Sequence, residues 1–164
     1  MATTTIKTVR TRSVLHTRRL KPAEFLPRSI HTRLLAHGKA GHACDHIPAV
    51  KFFDPGGEST WLLTEIRPDD PDIAYGLIHD SRIEKGPTLG YVSLAYLKAG
   101  HGRLANPIER DTYFAPRHAL SVYFTAARLI GHVSEDIELL YLVAVGLGAM
   151  PQKTSPAHTA AKRR

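Results

Sequence analysis

The sequence predicts one α+β domain: a small antiparallel meander sheet of four to five strands covered by helices on one face, with an extra C-terminal helix. Three observations predict this fold class. The 164 residues are enough for one ordinary domain. The spacing of apolar residues changes from helical to strand-like and back along the chain. The connections between the strand-like segments are short and carry no helix, which favours antiparallel neighbours.

The first half of the domain is predicted to hold one helix and four strands. The helix begins near Leu20, where Pro22 suits its first turn, Pro27 must interrupt or restart it, and Gly38 would close it. Segments rich in β-forming residues then alternate with turns rich in Pro, Gly and Asp. These segments predict strands at 50–53, 60–66, 73–79 and 89–92.

The second half is predicted to be mainly helical. Ser93 is well placed to cap a short helix, and 111–114 is predicted as another extended piece. The helical period returns over 119–131, and 134–136 is typical of a second helix start, with a hydroxyl cap and two acids. The body of that last helix, 137–150, is apolar nearly all round, which indicates burial in its own core or against a partner chain.

The net charge of +7 is unevenly distributed along the chain. Residues 1–39 hold nine Lys and Arg against one acid, residues 40–150 hold nine against fourteen, and the last fourteen residues hold four and no acid. We therefore predict a basic, flexible leader over 1–19, a single acidic domain over 20–150 and a basic, flexible tail over 151–164. The basic arms are the predicted nucleic-acid contacts, through Arg10, Arg12, Arg18, Arg19 and Lys21, and Arg110 is a further predicted binding residue.

Several classes of protein are excluded or disfavoured by composition. The single cysteine, Cys44, excludes an intramolecular disulfide framework and a multi-cysteine zinc ribbon, and the cytosol is the simplest compartment. No apolar run approaches the roughly 18 residues that span a bilayer, so no membrane association is predicted. No complete catalytic motif stands in the sequence.

Five sequence blocks occur in order along the chain: VKFFDP at 50–55, TWLLTE at 60–65, AYGL at 74–77, LGYVSL at 89–94 and PIERD at 107–111. Taken together, they resemble a bacterial family catalogued as domain of unknown function 2958. The resemblance covers roughly residues 20–132 and implies a bacterial cytosol and a setting on plasmids or integrative conjugative elements. It implies no activity, and it covers neither the basic leader nor the last helix.

The densest group of possible metal ligands is His37, His42, Cys44 and His46. Imidazole and thiolate are the ligands that zinc favours. The spacing nevertheless matches no standard zinc pattern, so a solvated, histidine-rich loop is the alternative and no cofactor is predicted.

The charged triplet Glu109-Arg110-Asp111 allows two interpretations. In an extended segment Glu109 and Asp111 share one side, and with Glu65 from a neighbouring strand they could hold Mg²⁺ or act as an acid–base pair in a hydrolase or nuclease. Alternatively, Arg110 fixes the loop to the sheet by pairing with a carboxylate.

Aromatic residues of the strands also allow two interpretations. Trp61 and Tyr91 could stack with unpaired bases on a sheet face, or they could belong to the core.

The sequence thus predicts a non-enzymatic accessory protein of a bacterial mobile element, in counter-defence or establishment, that binds protein or nucleic acid in the cytoplasm. A metal-dependent hydrolase is the first alternative. A homodimer formed through the C-terminal helix is the second.

Overall fold

A computed structural model describes residues 24–41, 43–83, 86–100 and 106–149. Within these residues it has one five-stranded antiparallel sheet and four helices, which confirms the predicted α+β class. In chain order the elements are α1 (Arg28–Ala40), β1 (Val50–Phe53), β2 (Thr60–Ile66), β3 (Ile73–His79), β4 (Thr88–Ser93), α2 (Leu94–Ala99), β5 (Glu109–Arg110), α3 (Leu120–Ile130) and α4 (Ile137–Gly146). The predicted leader and tail lie outside the described residues.

The sheet has the strand order β4-β3-β2-β1-β5. Strands β1 to β4 form the predicted meander, and β5 pairs with the free edge of β1. The extended piece predicted at 111–114 therefore lies earlier in the chain than expected. Pairing ends there because the carboxylate of Asp111 accepts the backbone N–H of Tyr113 at 2.8 Å, which turns the chain.

Helices cover both faces of the sheet, which corrects the prediction that only one face is covered. Because side chains alternate along a strand, Leu62 and Leu63 point to opposite faces. Leu62 and Leu77 pack in one apolar cluster with α3 and α4. Leu63 belongs to a second cluster that includes Leu34 of α1 and Leu97 of α2. The molecule therefore has three layers with the sheet in the middle.

Helix α1 runs past the residue expected to end it. It begins at Arg28, directly after Pro27, which was predicted to interrupt or restart a helix beginning near Leu20, and it continues through Gly38 to Ala40. Gly38 serves a different purpose, because a Cβ atom at this position would lie 1.9 Å from the backbone oxygen of Ile66 in β2. The missing side chain lets the helix pass unusually close to the sheet.

Helices α3 and α4 form the other outer layer. Helix α3 ends as predicted at Gly131, whose φ of 87° is the left-handed conformation that glycine adopts freely. The cap of α4 is the carboxylate of Asp136, which accepts the backbone N–H of Leu139, and not the hydroxyl of Ser134. The inner side of α4 packs in the core through Leu140, Val143 and Ala144. Among the described residues, no helix combines the length and apolarity required to cross a membrane.

Candidate functional site

A β-bulge in β2 shapes the most distinctive part of the surface. Leu63 pairs with Gly76 and Glu65 pairs with Tyr75, so that Thr64 is an extra residue with no partner in the register. In a regular strand Glu65 would point to the same face as Leu63, into the apolar layer beneath α1. The bulge turns Glu65 to the opposite face, beside Tyr75.

Helix α1 holds this bulge from behind. The Nδ1 atom of His37 donates a hydrogen bond of 2.9 Å to the carbonyl oxygen of Thr64. The Thr64 hydroxyl in turn donates to the carbonyl oxygen of Tyr75 at 3.3 Å. Gly38, the next residue of the helix, allows the close approach to Ile66 that brings His37 within reach. The packing of one face therefore fixes the direction of a side chain on the other.

The two histidines at this end of α1 form a stacked pair. The ring centroids of His37 and His46 lie 4.0 Å apart, and their planes differ by 4°. Burial lowers the pKa of His37; the hydrogen bond to Thr64 acts in the opposite direction, and His46 lowers the pKa further. The Nε2 atom of His46 is buried and has no hydrogen-bond partner among the described residues. A neutral imidazole at His37 suits this arrangement.

Glu65 and Tyr75 line two adjoining clefts. The first has a volume of about 350 Å³ and is also lined by Asp45 and His46. The second has a volume of about 400 Å³ and is also lined by Tyr91. We call the two together the Glu65 cleft, defined by Asp45, His46, Glu65, Tyr75 and Tyr91. Glu65 itself is only 5% exposed, so it forms part of the floor of the cleft.

The Glu65 cleft combines negative charge with aromatic surface. Burial raises the pKa of the Tyr75 hydroxyl, and the negative charge of Glu65 raises it further. The rings of Tyr75 and Tyr91 lie 5.2 Å apart at an angle of 58°. A carboxylate attracts a cation, and the faces of aromatic rings do the same through their quadrupoles. This arrangement therefore suits a positively charged group.

The structure does not bring together the three carboxylates predicted as a hydrolytic or magnesium site. Asp111 is aligned with Lys51 of β1, and Lys51 is aligned with Leu62 of β2. Glu65 is also on β2, two strand spacings from Asp111, and it lies three residues beyond Leu62. The backbones of Glu65 and Asp111 are therefore about 14 Å apart by ordinary strand spacing. Glu109 pairs with Phe53 and is exposed. Ligands of one metal ion must be far closer than this.

Asp111 instead fastens its loop to the sheet. Its carboxylate accepts a hydrogen bond of 3.1 Å from the Lys51 ammonium, which also pairs with Glu135. Burial raises the pKa of Asp111, but the hydrogen bonds from the Tyr113 N–H and from Lys51 outweigh it and hold the pKa below its ordinary value. Arg110, the expected partner of a carboxylate, donates to the backbone oxygen of Glu24 at 3.0 Å. Asp111 and Arg110 of the triplet therefore make contacts that hold this part of the chain in place.

The predicted metal ligands are only partly described. His42 lies outside the described residues, Cys44 is exposed, and the rings of His37 and His46 stack on each other. Across the described ranges, no group of three or more His, Cys, Asp and Glu side chains is arranged to hold a metal ion.

The aromatic candidates have different surroundings. Trp61 is 1% exposed in the cluster beneath α1, so neither face of its ring is open to a base. Tyr91 is half-exposed at the edge of the Glu65 cleft. The predicted phosphate contacts lie outside the described residues: Arg10, Arg12, Arg18, Arg19 and Lys21.

Glu65 was identified from the sequence but was grouped with Glu109 and Asp111, because the strand order and register that separate them were not predicted. The bulge that sets the direction of Glu65 was not predicted either. A signal was present in the strand. The alternation of large apolar residues at Trp61 and Leu63 should continue at 65, but the next one stands at Ile66. Such a shift of phase by one residue is what a bulge produces.

Comparison with known proteins gives one match. A family model described as "Protein of unknown function (DUF2958)" matches residues 25–134. No curated protein matches the chain, and no solved structure does. The matched range contains the sheet, the first three helices and the Glu65 cleft, and it ends before α4 begins at Ile137. Since the match covers well over half of the 164 residues, the chain belongs to the DUF2958 family.

Proposed function

We propose that this protein is a non-enzymatic binding module that takes a cationic side chain of a protein partner into the Glu65 cleft. One observation carries the proposal: the bulge turns a nearly buried carboxylate away from an apolar layer and beside Tyr75, whose ring contacts that of Tyr91. A regular strand would pack more simply. The irregularity therefore supports a binding role for Glu65.

Arginine is the best match to this cleft. Its planar guanidinium can donate two parallel hydrogen bonds to a carboxylate and can stack on an aromatic ring, whereas a lysine ammonium acts as a point charge.

The charge of the described part favours a protein partner over nucleic acid. Its residues include fourteen acidic and ten basic side chains, so this part repels phosphate on average. Nucleic-acid contact remains a prediction for the basic ends of the chain. The hydrolase alternative has less support, because Glu65 is remote from Glu109 and Asp111.

In this proposal the module is an accessory protein of a bacterial mobile element, acting in establishment or counter-defence in the cytoplasm. The setting is what the resemblance of the five sequence blocks implies. Capture of host proteins on the full chain, with nuclease treatment as a control, identifies the partner and separates protein contact from contact through nucleic acid.

The decisive experiment titrates Nα-acetyl-arginine N-methylamide into the full chain and follows backbone amide NMR signals. We expect saturable shifts at Glu65, Tyr75 and Tyr91, and weaker binding of the matching lysine compound. Glu65→Gln keeps the shape but loses the charge, and should weaken binding at least about tenfold, since a hydrogen bond to a charged group contributes roughly 1.5–3 kcal/mol.

Glu109→Gln is the matched control, because this carboxylate is exposed on β5 and away from the cleft. It should bind the arginine compound as the unchanged protein does. Equal affinity for Glu65→Gln, or shifts at these residues only with a single-stranded oligonucleotide, would contradict the proposal.

A further inference from the structure

Helix α4 carries an apolar face that nothing in the described part of the chain covers. Ile137, Tyr141 and Val145 recur every fourth residue and are 72%, 52% and 52% exposed. Leu142, beside this stripe, is 68% exposed. Such a row on a helix whose other side is already packed in the core is typical of an interaction surface.

We propose that this α4 face, defined by Ile137, Tyr141, Leu142 and Val145, pairs with the same face of a second copy to give a symmetric dimer. The inference is independent of the Glu65 cleft. It extends the proposed function by giving the module two copies of its binding site.

The area of the face suits a weak dimer. Side chains of this size present roughly 200 Å² each when fully accessible, so the four exposed fractions amount to about 500 Å² per chain. Two copies would together bury about 1,000 Å², which is below the roughly 1,200–2,000 Å² of stable specific interfaces and is the size expected of a weak, transient one. We therefore expect a reversible dimer whose population depends on concentration.

Charge also favours a second copy over a different partner. Within Ile137–Gly146 the single charged residue is Glu138, so the face offers a strongly charged partner almost nothing to pair with. An identical apolar face is complementary to it. If the two helices cross in an antiparallel manner at Tyr141, Glu138 lies opposite residue 144 of the second copy, and the two glutamates stand about 9 Å apart along the axis, since six residues separate these positions.

The rest of the chain offers little to cover this face. After Ala149 the sequence contains one large apolar residue, Met150. The first 23 residues contain six basic side chains, and their large apolar residues are Met1, Ile6, Val9, Val14, Leu15 and Leu20. A polar and basic composition of this kind suits an apolar helix face poorly.

Sedimentation of the full chain over a wide range of concentration tests the proposal. We expect a monomer–dimer equilibrium that Leu142→Lys abolishes. The lysine removes apolar surface, and it also supports the helix by pairing with Glu138 four residues earlier. The control is Tyr113→Lys, an exposed aromatic residue outside α4, which should leave the dimer unchanged. Leu142→Lys should also leave binding at the Glu65 cleft unchanged.

Disulfide trapping gives a positive test of the same contact. In a Cys44→Ser background, Tyr141→Cys should form a covalent dimer on mild oxidation, and Tyr113→Cys should not. The proposal is overturned by a full chain that is monomeric at every concentration, by a dimer that survives Leu142→Lys, or by a dimer that appears only when the terminal segments are removed. A chain ending at His132 is no test, because it removes core residues of α4.

Discussion

The two faces of the sheet differ in what they contain. The face beneath α1 and α2 is mostly apolar, with Phe52 and Trp61 in its cluster, and the charged side chain of Arg110 lies beside Phe52 at its edge. The face beneath α3 and α4 has an apolar centre around Leu62, but charged groups lie at its ends: Glu65 at one and the Lys51 pairs at the other. The first face contributes stability, and the second carries the groups that can bind a charged partner.

The two faces are nevertheless coupled through β2. His37 and Gly38 belong to α1, on the apolar side, yet they fix the bulge that turns Glu65 to the other side. A change that loosens α1 should therefore reach the Glu65 cleft, whereas a change within the cleft should leave the apolar layer intact. Three substitutions test this asymmetry.

The largest effect is expected for Phe52→Ala, which opens a cavity in the apolar layer. Phe52 is fully buried and stacks on Phe25 with 4.4 Å between ring centroids. Loss of a buried phenylalanine costs about 3–5 kcal/mol of unfolding free energy. Urea unfolding followed by circular dichroism measures it. Tyr113→Ala, which truncates an exposed ring, should cost less than about 0.5 kcal/mol. If Phe52→Ala lowered the unfolding free energy as little as the control does, the assignment of stability to the face beneath α1 and α2 would be refuted.

A smaller effect is expected for Gly38→Ala, which tests the coupling itself. Since the new methyl group would meet the Ile66 oxygen, α1 must move, at a cost of about 1–3 kcal/mol. The movement should also weaken binding of the arginine compound, because His37 loses its contact with Thr64.

Gly146→Ala is the matched helical glycine, with no atom within 4 Å of the added carbon. It should leave binding unchanged and raise stability by up to about 1 kcal/mol. The coupling would be disproved by a Gly38→Ala protein that is as stable as the original and binds as well.

The smallest effect concerns pH and the buried imidazoles. Burial lowers the pKa of His37, His79 and His118, so the unfolded chain takes up protons before the folded one. Stability should therefore be constant above the unfolded value of about 6.5 and should fall as pH drops through that value toward the folded ones.

His37→Asn isolates the contribution of His37, the histidine that holds the bulge, to the pH dependence of stability. Asparagine can still donate to the Thr64 oxygen but does not titrate, so the variant should lose less stability on acidification. Urea midpoints at neutral pH and at about 5.5, one unit below the ordinary histidine value, measure the difference. Equal losses in both proteins would assign the slope to His79 and His118 alone.

Local patterns made much of the fold predictable. The first four strands and their turns follow from alternating apolar residues between groups of Pro, Gly and Asp, and the Ser93 cap forms as expected, with its hydroxyl accepting the N–H of Tyr96 at 3.0 Å. The second covered face was also implicit, because Trp61-Leu62-Leu63 is apolar at three successive positions and so faces both ways.

The site was less predictable because it depends on tertiary contacts. Glu65 was recognised as chemically notable, but its neighbours are set by the bulge and by the approach of α1 at Gly38, and neither follows from the composition of one segment. Gly38 looked like the end of a helix, which is the commonest reason for a glycine there. Its actual role depends on a strand 28 residues later in the chain.

Because of the bulge, β2 contains one residue more than its pairing with β3 requires. If the codon of Thr64 were lost, Leu63 could still pair with Gly76 and Glu65 with Tyr75, so every other side chain of the strand would keep its present face. An inserted residue could not be absorbed in this way, and it would turn the residues on one side of it to the opposite face of the sheet. An in-frame deletion at Thr64 should therefore disturb this strand less than an in-frame insertion. A chain lacking Thr64 would keep its glutamate in the cleft but lose the oxygen that His37 holds.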